Sequence, residues 1–315
     1  MSFCCPIDNA FASVAGAYST NTLRGYAADL RAYAMWCAGQ QLPSWPTASP
    51  IVSAYLAAET SRLSVATLKR RVAAIRFAHR IGGHPDPTAS TEIHLALRRA
   101  SRLKGRRPRQ SAGLSASLLG QVVEARPQSL AGLRDAALIS VGYDTLCRSS
   151  ELAAMRVENL FDNDAYLELR ILVPRSKSDA AGDGRMAWLS GPTSRLLRQW
   201  MEAADVDSGP LFRSLVSGRV GAGQLDTSSI RRLVKRSAKA AGVEATKVIA
   251  LSGHSMRIGA AQDMLVAGFD ALAIMQAGGW RSTDVLLRYV ENASTRALHQ
   301  RRWRMLRVAE ITATP

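Results

Sequence analysis

A histidine and an arginine lie three residues apart in the stretch His254-Ser255-Met256-Arg257. On a helix this spacing puts both side chains on one face, where an imidazole and a guanidinium could hold one small anion between them. A surface histidine near an arginine is also common in proteins without any such role. The pair is therefore a candidate anion site whose meaning depends on the rest of the chain.

Two further charged positions, Arg148 and Lys177, also allow either an ordinary structural role or a chemical one. Arg148 follows an apolar helical stretch and precedes Glu151 by three residues, so alone it indicates a simple salt bridge. Lys177 lies between two predicted strands. A lysine there can be solvated surface, or it can reach into a DNA groove and donate a proton, and spacing does not choose between these.

Tyr289 lies nine residues after Trp280 and next to Leu286 and Val290. This local pattern is typical of an aromatic ring on a half-buried helical face. Packing is therefore the first interpretation of Tyr289. A chemical role for its hydroxyl requires partners from elsewhere in the chain.

The charge of the chain points to a nucleic-acid partner. The 315 residues contain 41 Lys and Arg against 25 Asp and Glu, a formal net charge of +16. Residues 1–110 hold 15 of these basic side chains and only 5 of the acidic ones. Such a field attracts a polyanion, and we rank nucleic acid above a merely solubilising charge and above an anionic membrane.

Other classes of protein are disfavoured. The four cysteines are too irregularly spaced for a disulfide framework or a zinc site and fit a reducing cytoplasm. The first basic residue is Arg24, and the longest charge-free run, 32–58, contains three prolines, so we expect neither a signal peptide nor a membrane span. The histidines other than His254 lack partners at ligand spacing, and no phosphate-binding Gly-x-x-x-x-Gly-Lys loop occurs. We therefore expect no metal, ATP or other cofactor.

Residues 19–104 predict a helical domain behind an N-terminal tail, 1–18. The first helix has Asn21 or Thr22 as its expected cap. The expected helices run over 19–40, from Ser49-Pro50, from about Ser64, and from about Thr91 to Arg102.

The third of these helices has a basic side opposite its apolar stripe. We predict that this side contacts DNA phosphates, although a merely solvated face explains any one of its residues equally well. The candidates are Lys69, Arg70, Arg71, Arg76 and Arg80.

Residues 105–114 are basic, contain Gly and Pro, and lack apolar periodicity, which predicts a linker. Its Arg106 and Arg107 are further candidates for DNA contact. Residues 115–315 predict a second, mostly helical domain with one small hairpin, whose strands lie at 165–173 and 186–189. The expected helices cover 115–125, 129–146, 149–160, 192–204, 227–241, 253–267, 270–277, 282–291 and 294–308.

The candidates occur in a characteristic order along the chain: an arginine with a glutamate three residues on, a hairpin lysine, His-x-x-Arg, Gly-Gly-Trp, and a tyrosine nine residues after that tryptophan. This order resembles the tyrosine recombinase (phage integrase) family and, within it, the Cre-like recombinases. The stretches that carry the resemblance are residues 20–30, 132–152, 251–261 and 274–280, with Tyr289.

The resemblance implies that Tyr289 attacks a DNA phosphodiester, which leaves a 3′-phosphotyrosyl link and a free 5′-hydroxyl without ATP. Arg148 and Arg257 would neutralise the charge of the transition state through forked hydrogen bonds. Lys177 would protonate the departing 5′-oxygen as general acid.

The resemblance also implies supporting roles. His254 would act on the tyrosine proton or bond to the phosphate, and Glu151 would orient the arginine and histidine. Trp280 stands where most family members have a histidine, a difference that the Cre-like subgroup shares. Its indole N–H can donate a hydrogen bond but cannot exchange a proton.

The implied fold is mainly α, with a helical, SAM-like core-binding domain and a mostly helical catalytic domain that carries a small antiparallel sheet. Together they would form a C-shaped clamp on DNA. The implied partners are double-stranded DNA with an inverted-repeat site and further copies of the chain. The copies would form a homotetramer on two such sites, and the reaction would pass through a Holliday junction. The C-terminal helix expected over 294–308 would dock on a neighbouring copy, although a helix folded back on its own domain explains this segment equally well. No membrane would be involved.

Two other functions fit part of the pattern. The first is a DNA-binding protein on the same scaffold without catalytic activity, for which only charge and helices argue. The second is a type IB topoisomerase or telomere resolvase, which keeps the tyrosine nucleophile but does not exchange DNA partners.

Overall fold

The computed structural model describes residue 14 and residues 16–104, 110–163, 168–173, 184–293, 298–300 and 302–305. Lys177, Arg106 and Arg107 lie outside these residues. The chain divides into two compact units, Met1–Arg109 and Gln110–Pro315. No helix in the described part of the chain is long and apolar enough to cross a membrane.

Helices build the first unit. They are α1 (Thr20–Gly39), α2 (Ser49–Glu59), α3 (Val65–Ile81) and α4 (Thr91–Lys104), with a 3₁₀ turn at Pro87–Ala89.

Side-chain caps begin α1 and α3, whereas α2 begins with a proline in its first turn and has no side-chain cap. Ser64 accepts a hydrogen bond from the Thr67 N–H, as expected for a cap at the start of α3. The cap predicted for α1 was wrong, because Ser19, not Asn21 or Thr22, accepts the free N–H at its start.

The interior of the first unit is largely apolar and contains an ion network. The apolar stripe of α3, residues Leu68, Val72 and Ile75, is buried against the other helices. Asp29 in α1 is also buried, and its carboxylate accepts two hydrogen bonds from Arg70, at 2.6 and 3.0 Å. A buried carboxylate requires such partners, so the network ties α1 to α3.

His79 in α3 is buried and bonded through both ring nitrogens. Its Nδ1 lies 2.9 Å from the Ile75 carbonyl oxygen, and its Nε2 lies 3.1 Å from the Thr47 backbone nitrogen. Because a backbone N–H can only donate, Nε2 accepts and Nδ1 carries the proton. Burial lowers the pKa of His79, and His84 adds to this effect.

We therefore expect the free energy of unfolding to fall as the pH drops below about 6.5, because the unfolded chain then binds a proton that the folded unit resists, until the lowered folded pKa of His79 is reached. Urea unfolding at neutral and at mildly acidic pH, followed by tryptophan fluorescence, measures this loss. His79→Gln should reduce the pH dependence, whereas His94→Gln, at an exposed ring on α4, should keep it. Equal pH dependence in the two variants would contradict the prediction.

The second unit combines helices with two small antiparallel sheets. Its elements are α5 (Ala116–Glu124), α6 (Leu130–Asp144), α7 (Ser149–Ala153), a 3₁₀ turn (Val157–Asn159), β1 (Leu160–Asn163), β2 (Glu168–Val173), β3 (Arg185–Trp188), α8 (Gly191–Ala203), β4 (Arg213–Val216), β5 (Arg219–Gln224), α9 (Thr227–Ala240), α10 (Ala245–Ala250), α11 (Ser255–Ala267), α12 (Ala271–Gly278) and α13 (Thr283–Val290). Residues 298–300 and 302–305 are also helical. One sheet has the order β1-β2-β3, and the other pairs β4 with β5.

The predicted helix over 149–160 was wrong beyond Ala153. There the chain leaves the helix because its backbone pairs with a distant segment: Val157 N–H donates to the Gly209 oxygen, and Leu211 N–H donates to the Met155 oxygen, both at 2.9 Å. The chain then enters β1, which the sequence did not predict. Neither the β4–β5 pair nor α10 was predicted.

Part of the predicted linker 105–114 is packed into the second unit. Ala112 N–H donates to the Ala250 oxygen and Leu114 N–H to the Ser255 oxygen, and Leu114 is fully buried. Gly259 in α11 makes this contact possible, since a Cβ there would lie 1.8 Å from the Leu114 carbonyl oxygen.

Gly259→Ala should therefore destabilise the protein by at least about 1–3 kcal/mol, the usual cost of overpacking, because the clash is with backbone. Gly120→Ala is the matched control, since it also lies in a helix and its Cβ meets nothing within 4 Å. That substitution should stabilise by about 0.5–1 kcal/mol. Thermal unfolding of both variants measures the difference, and a neutral Gly259→Ala would refute the close approach.

Candidate active site

Arg257 is the centre of the site. It lies in the first turn of α11, is fully buried, and donates from Nη1 to the Leu146 carbonyl oxygen. Its Nε and Nη2 are buried without a hydrogen-bond partner. Burial lowers the pKa of Arg257 to about 10, so it remains charged at neutral pH. A buried cation with two unused donors is matched to two oxygens of a tetrahedral anion.

Trp280 stacks against this guanidinium. The Arg257 carbon Cζ lies 3.9 Å from the centre of the indole ring, and the indole Nε1 is also buried without a partner. The preceding glycines allow the fold: Gly279 ends α12 with a φ of 66°, and a Cβ on Gly278 would lie 2.1 Å from the indole. A third unused donor therefore lies beside the two of Arg257.

Tyr289 lies in the last turn of α13 and belongs to the same cluster. Its ring meets Trp280 edge to face at 5.0 Å, and the Arg257 Cζ lies 5.4 Å from its centre. Gln262 of α11 donates to the Tyr289 carbonyl oxygen at 3.1 Å, which satisfies one of the free carbonyls at the end of this helix. The half-buried tyrosine thus packs as its neighbours predict, and the groups on which it packs are Arg257 and Trp280.

Arg148 and Glu151 form the pair that their spacing predicts. Arg148 precedes α7, and Glu151 is buried. The carboxylate accepts from the Arg148 backbone N–H at 2.9 Å and from its Nη1 at 2.5 Å. These two hydrogen bonds set the direction of the Arg148 guanidinium. A Cβ on Gly253 would lie 2.2 Å from the Ser149 hydroxyl, so the start of α7 touches the turn before His254.

His254 is an exposed side chain immediately before α11. The removal of part of its ring from water lowers its pKa, and the positive charges of Arg257 and Arg148 lower it further. Glu151 acts in the opposite direction. The ring is therefore neutral near pH 7 and can accept a proton.

The structure brings together most of the residues predicted for the site: Arg148, Glu151, His254, Arg257, Trp280 and Tyr289. Lys177 lies outside the described residues. Gln262 and Arg185 also contact this cluster and were not predicted, because Arg185 lies just before the strand predicted over 186–189 and its acceptors are distant in the chain. Among the described residues, no group of His, Cys, Asp or Glu is placed to hold a metal ion.

The predicted DNA-contact residues of α3 differ in what they can do. Lys69 and Arg80 are exposed. Arg76 bonds to Thr88 and Asp86, and Arg70 bonds to Asp29 but keeps an exposed side chain. Arg71 is largely buried and bonds to Tyr55 and Glu59, so it belongs to the interior and does not lie on the exposed basic face.

Comparison with known proteins identifies the family of this site. Residues 115–296 match the model of the phage integrase family, and residues 10–81 match that of the phage integrase N-terminal SAM-like domain. The chain belongs to the phage integrase family. The prediction of a tyrosine recombinase with a mainly helical, SAM-like and catalytic architecture is confirmed.

Relatives of this phage integrase family member include recombinases. It is 28% identical to the recombinase Cre of Escherichia phage P1 over 293 residues, which cover 88% of this chain and 85% of that protein. It is also 28% identical to a XerD integrase/recombinase homologue of Selenomonas ruminantium, over 87% of this chain and 82% of the relative.

Solved structures share the fold. The XerH site-specific recombinase bound to its palindromic difH substrate has a TM-score of 0.63 at 18% identity, covering 87% of this chain and 77% of that one. A lambda integrase dimer bound to a core site has a TM-score of 0.62 at 15% identity, covering 91% and 94%.

Proposed function

We propose that this tyrosine recombinase is a site-specific DNA recombinase that cuts and rejoins DNA through a 3′-phosphotyrosyl intermediate at Tyr289 and a Holliday junction. The observation that carries the proposal is the contact of Arg257 with the rings of Trp280 and Tyr289. This arginine is buried, and its Nε and Nη2 lack hydrogen-bond partners. An anion site and a nucleophile are thereby joined in one cluster. The family and the recombinases among its relatives support the same reaction.

In the proposed step, the Tyr289 oxygen bonds to phosphorus as the bond from phosphorus to the 5′-oxygen breaks. Arg148 and Arg257 neutralise the charge that grows on the other phosphate oxygens, and Trp280 donates its indole N–H to one of them. The guanidinium of Arg257 and the indole of Trp280 are already packed together in the free protein. Because their unused donors are buried there, the site has to open locally to admit the phosphate.

Proton transfers complete the step. The neutral imidazole of His254 takes the tyrosine proton, and Lys177 gives a proton to the departing 5′-oxygen. One phosphate ester replaces another, so rejoining needs neither ATP nor metal. Attack by the 5′-hydroxyl of a second DNA reverses the step and exchanges strands.

We propose a double-stranded DNA partner with an inverted-repeat site and a homotetramer on two such sites, acting in the cytoplasm. Lys69 and Arg80 are suited to phosphate contact in the first unit, with Arg70 and the linker residues Arg106 and Arg107 as further contacts. Exposed apolar side chains support contact between copies in the second unit. Among them are Phe269, Leu272, Leu287, Trp303 and Met305.

A covalent selection tests the proposal. The protein is incubated with a library of random-sequence duplexes that carry a nick, so that cleavage near it releases a short strand and traps the adduct. Species that survive denaturation by detergent are recovered, sequenced and mapped by peptide mass spectrometry. We expect recovered duplexes to share an inverted-repeat site and the DNA to be linked to Tyr289.

Other outcomes would replace the proposal. DNA binding without any adduct would indicate a catalytically silent binding protein. Adducts without a shared sequence, together with relaxation of supercoiled DNA, would indicate a topoisomerase. An adduct at another residue would refute the assignment of the nucleophile.

A further inference from the structure

We propose that Arg185, the first residue of β3, is a positioning residue that holds Arg148 and Trp280 at the reacting phosphate. The inference rests on the proposed function, because it assigns a role within the same site. The guanidinium of Arg185 donates to two backbone carbonyl oxygens and to the Cys147 sulfur, and none of these atoms belongs to Tyr289 or His254. Arg185 is therefore not proposed as a catalytic residue. It acts through the backbone of the two turns that carry Arg148 and Trp280.

The contacts of Arg185 carry the inference. Its half-buried guanidinium donates from Nη1 to the Ala277 carbonyl oxygen at 2.8 Å and from Nη2 to the Thr145 carbonyl oxygen. Thr145 lies three residues before Arg148, and Ala277 lies three residues before Trp280. One side chain therefore bonds to the backbone just before Arg148 and just before Trp280, although these two turns are more than a hundred residues apart in the chain.

Both acceptors lie at the carboxyl ends of helices. Thr145 is the residue that ends α6, and Ala277 lies in the last turn of α12. The last carbonyls of a helix have no partner within the helix and carry partial negative charge. A guanidinium satisfies both helix ends at once, and its rigid fork fixes the distance between them.

The local backbone directs Arg185 inward. Gly184 has a φ of 69°, and a Cβ there would lie 2.6 Å from the Val173 oxygen, so the turn into β3 requires glycine. Alternation then puts Arg185 on the same inner face as the buried Ala187. On the other side, a Cβ on Gly279 would lie 3.1 Å from the Arg185 Cδ, which shows how closely the Gly-Gly turn packs on this arginine.

The turn before Arg148 is shared with Arg257. Leu146 follows Thr145 with a φ of 50°, an uncommon value for a residue with a side chain, and its carbonyl oxygen accepts from Arg257. Adjacent carbonyls of one turn thus bond to Arg185 and Arg257. Loss of Arg185 would release a turn on which two catalytic arginines depend.

The test compares Arg185→Met, Arg185→Lys and Arg195→Met in the full-length protein. Arg195 is an exposed arginine of α8, so its variant removes the same charge. The first readout is hydrogen exchange in the free protein at the amides of Arg148 and Trp280, which are bonded to the Glu151 carboxylate and the Met275 oxygen. The second is the single-turnover rate of adduct formation on nicked DNA at saturation.

We expect Arg185→Met to speed exchange at both amides by about tenfold, because each turn can then open locally. The rate of adduct formation should fall by about 10- to 100-fold, the usual effect of a small misplacement, with DNA affinity nearly unchanged. Arg185→Lys keeps the charge but not the forked donors. Its exchange rates and its rate of adduct formation should therefore lie between those of the wild type and of Arg185→Met.

The proposal is overturned if the amides of Arg148 and Trp280 exchange hydrogen at the same rate in both Arg185 variants as in Arg195→Met. It is also overturned if exchange rises at both turns but the adduct rate does not fall. If the wild-type protein forms no adduct at all, the proposed function fails, and the exchange comparison still decides whether Arg185 holds the two turns.

Discussion

Tyr289→Phe should form no detectable covalent adduct with DNA while binding it as tightly as the wild-type protein. The substitution removes one oxygen atom and keeps the ring that packs on Trp280 and Arg257. Removing a nucleophile eliminates the covalent route, so the loss should be at least about a thousandfold. The thermal stability should change little, because the Tyr289 ring stays in the same apolar cluster.

Denaturing gel electrophoresis on nicked target DNA measures the adduct, and a gel-shift titration measures binding. The matched control is Tyr143→Phe, because Tyr143 packs against the same cluster but its hydroxyl donates to Asp263 at 2.6 Å. That variant should lose some stability and retain adduct formation. Adduct formation by Tyr289→Phe at the wild-type rate would show that another group is the nucleophile.

Arg257→Lys should reduce the rate of adduct formation by about 10²–10³-fold, the cost of losing a positioned donor to the transition state. A lysine keeps the charge, but one ammonium cannot both bond to the Leu146 oxygen and present the two donors that Nε and Nη2 leave unused. It also loses the flat stack on Trp280. DNA affinity should change only slightly, because many phosphates contribute to binding.

Single-turnover kinetics at saturating DNA separate this effect from binding. Arg195→Lys, at an exposed position on α8, is the control for the exchange of arginine for lysine and should react at the wild-type rate. Circular dichroism melting checks that the variant is folded. If Arg257→Lys reacted within a few-fold of the wild-type rate, the forked contact would not be the source of catalysis.

Local sequence patterns predicted those elements whose periodicity matches their burial. The stripe of Leu68, Val72 and Ile75 on α3 faces the core of the first unit, and Ser64 caps that helix. These features depend on residues within one or two turns, so they are visible in the sequence. β2 and β3 were also predicted, because alternation over a few residues suffices for a strand.

The missed elements depend on partners that are distant in the chain. The helix predicted over 149–160 stops at Ala153 because residues 155–157 pair with residues 209–211. β1 forms because it pairs with β2, and its four residues alone carry no decisive pattern. Arg71 was placed on an exposed basic face, but the acidic residues of two other helices draw it inward.

The sequence by itself determined which residue types stand in which order, and that order was enough to predict the family and to nominate Arg148, His254, Arg257, Trp280 and Tyr289. Only the tertiary structure decided that Arg257 is buried with two donors unused and stacked on Trp280 beside Tyr289. It also revealed the link from Arg185 to two helix ends. Burial and the use of hydrogen bonds are properties of contacts between segments far apart in the chain, and no local pattern encodes them.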